Sequence, residues 1–466
     1  MEVIALDVAD LGNQAYLVSD GTLAIAVDVP RSIEIALEAL ASHSLSLSLV
    51  LDTHIHNDFV TGGLALARHT GATYALAADE HVEFEDERLG LHDGDRLTVG
   101  GLELEVVATP GHTAHHLSYV VRGADQVAVL TGGSLLVGTT GRTDLLGAER
   151  AEELAGAQWL SARRLLAMLP DDAAVHPTHG FGSFCAAGPA GARATTIGRE
   201  RASNPAALLA QRRFVSDLLA GLGEFPSYYA HMAGLNRAGP AALDLAPVPA
   251  LGPGEPARVV AAGGWVVDVR PRKSFAAAHL EGAVNAGVDG PLATYVGWVI
   301  PWGSELTLLA ESPTELETAR VLLGQIGIDR ISGASIGEPD RWAAPARPVE
   351  LAVASFARLA EHWHERPTVI DVRRRAEWEA GHLTGAVHIP VHELTGGHRS
   401  LGDRGDRGDR GGRRDRGDRP VWLYCAAGYR AVLGASLLAR AGVAVVAVDD
   451  SWGAAIDAGL PISLPG

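Results

Sequence analysis

Thr53-His54-Ile55-His56-Asn57-Asp58-Phe59 follows the Leu-rich run Leu45 to Leu51 and leads into a turn at Gly62-Gly63. The run alternates leucine with Ser46 and Ser48 and closes on Leu49-Val50-Leu51, which reads as a β-strand. Two imidazoles two residues apart, with a carboxylate two further on, therefore leave a hydrophobic strand at its carboxyl end. An α/β protein presents a metal-ligand cluster in this way, since nitrogen and carboxylate donors suit zinc and iron. The stretch predicts a metalloenzyme of the α/β class.

The remainder of the chain bounds that reading. At 466 residues it is too long for one core and suggests roughly two to four domains. A net charge of −18 would repel nucleic acid and anionic membrane, so neither is expected as a partner. The first residues, Met1-Glu2-Val3-Ile4-Ala5-Leu6-Asp7, carry no basic segment followed by an apolar one, so no signal peptide is read. The longest apolar runs, such as Val443 to Val448, are far shorter than the ~20 residues of a membrane span. Cys185 and Cys425 lie far apart in sequence, which leaves no disulfide framework and fits a reducing cytoplasm.

Val3–Val8, Asn13–Val18 and Leu23–Val29 read as an opening β meander, and 30–42 as a helix. Leu102–Thr109 and Gln126–Leu130 read as strands running into Gly-containing loops, and Pro205–Leu222 as a helix. Ala238–Pro253, rich in Pro and Ala, reads as a linker. Beyond it the chain repeats itself. Val266-Val267-Asp268-Val269-Arg270 precedes Ala278-His279-Leu280-Glu281-Gly282, and Val369-Ile370-Asp371-Val372-Arg373 precedes Gly381-His382-Leu383-Thr384-Gly385. The offset is 103 residues, both from Asp268 to Asp371 and from His279 to His382. Each copy reads as a small α/β domain. Gly-Asp-Arg repeats between Ser400 and Pro420 predict a solvated loop in the second copy.

Three further segments support the opening motif. Thr109-Pro110-Gly111-His112-Thr113 and Thr131-Gly132-Gly133-Ser134 each end a strand, and His176-Pro177-Thr178-His179-Gly180 supplies an imidazole in a turn. With His54, His56 and Asp58 they resemble the metallo-β-lactamase superfamily. Gly141-Arg142-Thr143-Asp144-Leu145, Tyr228-Tyr229-Ala230-His231-Met232 and Leu235-Asn236-Arg237 resemble its persulfide dioxygenase group. That resemblance implies an αββα sandwich with one non-haem iron, His54 and His112 standing at the positions of two histidine ligands. A two-histidine, one-carboxylate set leaves open positions for O₂ and a sulfur substrate. Two positions depart from the family. Phe59 stands where a histidine is usual, which removes a ligand of a second metal and favours a mononuclear site. Gly133 stands where the aspartate ligand is expected.

Three arrangements remain open. His54, His56 and His112 can form a three-histidine site for Fe(II) or Zn(II), which is the preferred reading. Asp58 can supply the carboxylate after a modest shift. Or the domain is a scaffold with a weakened site. His179 and His115 are expected as supporting residues behind the ligands, and Arg142 with Asp144 as a turn pair.

Tyr424-Cys425-Ala426-Ala427-Gly428-Tyr429-Arg430 follows the strand Val421–Tyr424 and opens a helix. A thiol there faces loop N–H groups and the positive end of the helix, a setting that favours the nucleophilic thiolate. Gly428 and Tyr429 are expected as supporting or substrate-contacting residues, and Arg430 adds a cation for an anionic donor such as thiosulfate. The loop resembles the rhodanese active site, with Asp371, Arg373, His382 and Gly385 matching that family's structural motif. Aligning Leu322-Leu323 with Leu437-Leu438 sets Ala310 opposite Cys425 and Glu315 opposite Arg430, so the first copy is expected to be inactive. Cys185 reads as a small buried residue.

The expected architecture is thus a metallo-β-lactamase-like domain over 1–247, a rhodanese-like domain without cysteine over 248–346, and a rhodanese domain over 347–466. The expected function is metal-dependent oxidation of a low-molecular-weight persulfide to sulfite, coupled to sulfur transfer through Cys425. One metal ion is expected, Fe(II) before Zn(II). The alternatives are a zinc thioesterase of the glyoxalase II type and a sulfur-relay protein. The partners expected are a small persulfide, thiosulfate or thiol, together with a homo-oligomeric state.

Overall fold

The computed structural model describes residues 1–8, 10–180, 182–188, 194–395 and 419–464. The chain divides into two units, Met1–Asp244 with Gly324–Gly327, and Leu245–Leu323 with Ile328–Gly466. Most of the Gly-Asp-Arg segment falls outside the described residues. Among the described residues no helix is long and apolar enough to cross a membrane.

The first unit is built on two six-stranded sheets. One runs in sequence order: β1 (Glu2–Val8), β2 (Asn13–Ser19), β3 (Leu23–Val27), β4 (Ser46–Leu51), β5 (Thr73–Ala77) and β6 (Leu89–Leu91). β1 to β3 pair antiparallel, as a meander does, and β3 to β6 pair parallel. The other sheet comprises β7 (Arg96–Val99), β8 (Leu102–Ala108), β9 (Leu117–Gly123) and β10 (Gln126–Gly132). After the short hairpin β11 (Leu135–Leu136) and β12 (Thr139–Thr140), it is extended by β13 (Ala174–Pro177) and β14 (Thr195–Thr196).

Alternation along the strands decides which faces meet. Tyr16, Val18, Ile25, Val27, Leu49 and Leu51 from the first sheet share one buried cluster with Leu102, Leu104, Val106, Tyr119 and Val121 from the second. The residues between them, Val107, Val120 and Val129, turn the other way and bury Ala155, Ala162, Leu165 and Leu166 of the helix Ala151–Met168. Each fully buried leucine or valine of this kind contributes roughly 1.5–3 kcal/mol. On the outer side of the first sheet, the helix Gly63–Thr70 buries Leu64 and Leu66. These layers form an αββα sandwich, and every strand end that carries a site residue opens at one rim of it.

Two elements differ from the sequence expectation. The helix expected from residue 30 begins only at Glu34, after Pro30 pairs with Thr61 in an isolated bridge. Pro205–Leu222 is two helices, Pro205–Leu208 and Gln211–Gly221, because Leu209 and Ala210 are extended.

The second unit repeats one topology. β15 (Trp265–Asp268), β16 (Val284–Asn285), β17 (Leu306–Ala310) and β18 (Ile331–Ile336) form a parallel sheet in the order β16-β15-β17-β18. The later half contains β19 (Val353–Ala354), β20 (Val369–Asp371), β21 (His382–Leu383), β22 (Val387–His388), β23 (Val421–Tyr424), β24 (Val445–Val448) and β25 (Ile462–Ser463). Its main sheet runs β22-β20-β23-β24 with β19 added at the edge. Asp268 and Asp371 each end the strand at which the copies correspond, and each forms a buried ion pair with the arginine two residues on, Arg270 and Arg373. Arg270 lies over the ring of Trp342, and Arg373 over that of Trp452.

Candidate metal centre and cysteine loop

The rim of the sandwich gathers the histidines because three strands end there. β4 delivers His54, His56 and Asp58, the β8–β9 connection delivers His112, and β13 delivers His179. All five side chains are buried. What gives them chemical direction is the hydrogen bond each imidazole makes on its far nitrogen, which fixes the tautomer. Thr53 Oγ1 donates to Asp28 Oδ2 at 2.9 Å, so it accepts from His54 Nδ1 at 2.9 Å. His112 Nδ1 donates to the Arg142 carbonyl at 2.7 Å. His179 Nδ1 lies 3.1 Å from Asn13 Oδ1 and 3.2 Å from Asp58 Oδ2. His56 is turned the other way, with Nε2 3.2 Å from Asp28 Oδ1.

The remaining lone pairs therefore point inward: Nε2 of His54, His112 and His179, and Nδ1 of His56. His112 Nε2, His56 Nδ1 and Asp58 Oδ1 are buried and have no hydrogen-bond partner. His54, His112 and His179 offer donors that all lie within 4.8 Å of one another, and His56, Asp58 and His179 form a second such group. The Nε2 atoms of His54 and His179 are 3.4 Å apart. Two nitrogens bound tetrahedrally to one ion at about 2.0–2.1 Å would be separated by roughly that distance. The donor set fits a metal ion.

Electrostatics agrees. Burial and the neighbouring imidazoles hold His54 well below the usual histidine range, and burial with the neighbouring His179 pushes His112 down to about 3. Both rings are thus neutral at neutral pH, as ligands must be. Burial acts to raise Asp58, but His179, His56 and the Asn13 amide outweigh it and keep the carboxylate charged. Asp28, in the left-handed region at φ 54°, accepts from Thr53 N, Thr53 Oγ1, Thr178 Oγ1 and His56. It is the hub behind the cluster.

Two positions differ from expectation, and a third does more than expected. His179, expected behind the ligands, shares both donor groups, because Asn13 and Asp58 turn its Nε2 toward His54. His115 is exposed, and its neighbour His116 is the buried one, bonded to Thr109 Oγ1 and to Gly133 N. Arg142, expected as half of a turn pair, does bind Asp144 through Nε and Nη2, but its carbonyl also fixes His112. Phe59 is fully buried, its ring centroid 4.2 Å from that of His56, and offers no donor. A Cβ added at Gly133 would overlap the His112 ring, so His112 stands close to where a side chain at 133 would begin. Residues next in sequence to these donors, Ile55, Asn57 and Thr113, line a cleft of about 310 Å³ with His115, Arg150 and Arg237.

The cysteine loop is built locally. Tyr424 of β23 pairs with Asp371 of β20, and Cys425 follows at the strand end. Gly428, at φ 90°, turns the chain so that its N–H donates to Cys425 Sγ at 3.2 Å before the helix Tyr429–Arg440 begins. Tyr429 Oη donates to the Gly287 carbonyl at 3.1 Å. Arg430, expected to face an anionic donor, instead grips Glu377 with Nη1–Oε2 at 2.5 Å and Nη2–Oε1 at 2.7 Å. In the earlier copy Asp268 pairs with Leu309, so Ala310 occupies the strand-end position of Cys425. Cys185 is buried 4.0 Å from Tyr229 Oη, and burial pushes its thiol well up.

Residues 10–179 match the family model of the metallo-beta-lactamase superfamily. A hydroxyacylglutathione hydrolase of Albidiferax ferrireducens is 33% identical over 181 residues, 39% of this chain and 67% of that protein. The chain belongs to the metallo-β-lactamase superfamily. Residues 355–456 match the rhodanese-like domain, so this member of the superfamily carries such a domain later in its sequence. The chain spans about three fifths of other curated relatives, 59% of a Synechococcus hydroxyacylglutathione hydrolase and 63% of one from Cereibacter sphaeroides, at 33% and 36% identity over 34% and 36% of this chain. Among solved structures, a metallo-beta-lactamase from Staphylococcus aureus shares the fold at a TM-score of 0.64 and 23% identity, covering 72% of this chain and 99% of that one. ETHE1 from Myxococcus xanthus is 30% identical, with 51% of this chain and 99% of that chain covered, at a TM-score of 0.44.

Proposed function

We propose that the chain is a sulfur-metabolism enzyme with two activities. A single metal ion, Fe(II) before Zn(II), would be held by His54, His112 and His179, with His56 and Asp58 beside them. There a low-molecular-weight persulfide, O₂ and water give the thiol, sulfite and two protons. When bound, a ferrous ion supplies the redox chemistry that joins O₂ to sulfur. The chain's own residues orient the donors: Asp28 through Thr53 and His56, Asn13 and Asp58 through His179, the Arg142 carbonyl through His112. Cys425, as thiolate, attacks the outer sulfur of a donor, releases the donor's leaving group and carries the sulfur as a persulfide until an acceptor thiol removes it. The first α/β copy of the second unit, without cysteine, serves as a structural rhodanese-like domain.

The observation that carries this reading is Phe59. It packs against His56 where a nitrogen donor would serve a second ion, which supports a mononuclear site, and a rhodanese-like loop on the same chain directs the chemistry to sulfur. The names of the curated relatives favour a second reading, a zinc-dependent thioester hydrolase. Metal analysis of protein made in iron-replete and in zinc-replete media separates the two, with His112→Ala as control. The first reading expects iron and O₂ uptake with a persulfide, and zinc with thioester cleavage contradicts it.

A further inference from the structure

Arg430 is the cation that a dianionic donor at Cys425 would need, and it is already held. Its guanidinium makes two parallel bonds to Glu377 across 53 residues of sequence, in a largely buried setting. Such bidentate pairs are the strong form of the ion pair. Burial would lower Arg430, but Glu377 outweighs it and raises the guanidinium, while Arg430 in turn draws Glu377 down to about 2. Cys425 is close enough to act on Arg430 electrostatically. The Glu377 carboxylate also accepts from Arg374 N at 3.1 Å and meets Arg374 Nε at 3.4 Å, so its place is fixed by the start of its own helix.

The internal repeat separates function from architecture here. Both copies keep the aspartate–arginine pair that braces the fold, Asp268 with Arg270 and Asp371 with Arg373. At the repeat offset of 103 the position of Glu377 is Ser274 in the earlier copy, and in the strand correspondence that sets Ala310 opposite Cys425 the position of Arg430 is Glu315. The fold therefore stands without the Glu377–Arg430 pair. The pair occurs beside the cysteine and is lost with it.

We infer that Glu377 is a specificity-determining residue of the Cys425 site: by neutralising Arg430 it disfavours a dianionic donor such as thiosulfate and leaves the site to donors whose reacting sulfur carries less charge, such as organic persulfides. The inference rests on the proposed transferase activity. In either case one S–S bond forms at Cys425 and one breaks in the donor. The leaving groups differ, sulfite from thiosulfate and a thiolate from a persulfide.

The test measures kcat/KM for thiosulfate and for an alkyl persulfide with the full chain and with Glu377→Gln, which removes the charge but keeps the shape. The ratio of thiosulfate to persulfide is expected to rise by about tenfold, the scale of one freed charge-assisted contact. In Glu377→Gln/Arg430→Gln the gain should vanish. An unchanged ratio, or a gain that persists in the double variant, overturns the inference. Should the single variant not fold, the unaltered protein decides: its KM for thiosulfate should depend weakly on salt, and a steep rise would mark an unneutralised cation. A protein whose Cys425 gains 32 mass units from no donor would instead overturn the transferase reading itself.

Discussion

The histidine cluster and the cysteine loop are two centres built by different means. His54 and His179 are 125 residues apart in sequence; His54 is held by its neighbour Thr53, which Asp28 anchors, and His179 by Asn13. Cys425, Gly428 and Arg430 lie within one turn of chain between a strand and a helix. The first centre is therefore as rigid as the packing of two sheets makes it, and its fine tuning lies in Asp28, Asn13 and the Arg142 carbonyl. The second takes its cysteine and its cation from a few contiguous residues, so a copy of the fold can lose them outright and keep its sheet. Ala310 at the end of β17 is that case.

Four experiments break or sharpen the contrast, from the largest effect to the smallest. Cys425→Ser should reduce sulfur transfer by more than about 10³-fold, since the nucleophile itself is removed, while O₂ uptake with a persulfide continues. Parallel loss of both activities would mean that the centres are not separate. Asp28→Asn weakens the hub that orients His54 and His56, and metal affinity should fall about 10–100-fold, measured by competition with a chelator. Gly133→Asp places a carboxylate where the sequence resemblance expects one, but its Cβ overlaps the His112 ring, so overpacking should cost about 1–3 kcal/mol in thermal unfolding unless His112 moves. A variant of unaltered stability would show that the ring yields freely.

The fourth concerns pH. Buried His54, His112 and His116 are held neutral, with His112 lowered to about 3. Their unfolded forms take up protons near 6.5, so the folded metal-free protein should lose stability as pH falls from about 6.5 toward 3. Asp52, which burial raises to about 6, works in the opposite direction over part of that range, but one carboxyl faces three imidazoles. Thermal midpoints of metal-free protein across this window check the sign, and a rise on acidification would contradict it.

The same contrast explains which features are legible in the amino-acid sequence and which are not. His54, His56, Asp58 and His112 are legible because each follows a strand whose hydrophobic pattern ends at it. The Cys425 loop is legible because its spacing is contiguous, and the repeat because Asp268 and Asp371 sit in near-identical surroundings. Asp28 is not, being a single acidic residue at the end of an apolar strand with no periodic signal. Asn13 and Thr178 look like ordinary strand-end polar residues. His115 and His116 are adjacent, and only the turn that places one outward and one inward tells them apart. Glu377 stands at the third position of its own helix, where its carboxylate accepts from Arg374 N, a local role that hides any other. Its bond to Arg430 depends on how the strands bring the starts of two distant helices together.

The central claim is that the chain holds one metal ion and uses it on a persulfide. The direct test is an oxygen-electrode assay on ferrous-loaded protein whose metal content has been measured. The account predicts one iron per chain and one O₂ consumed per persulfide with sulfite released, undiminished in Cys425→Ser and lost in His112→Ala. Two metal ions per chain with thioester cleavage and no O₂ uptake would contradict it.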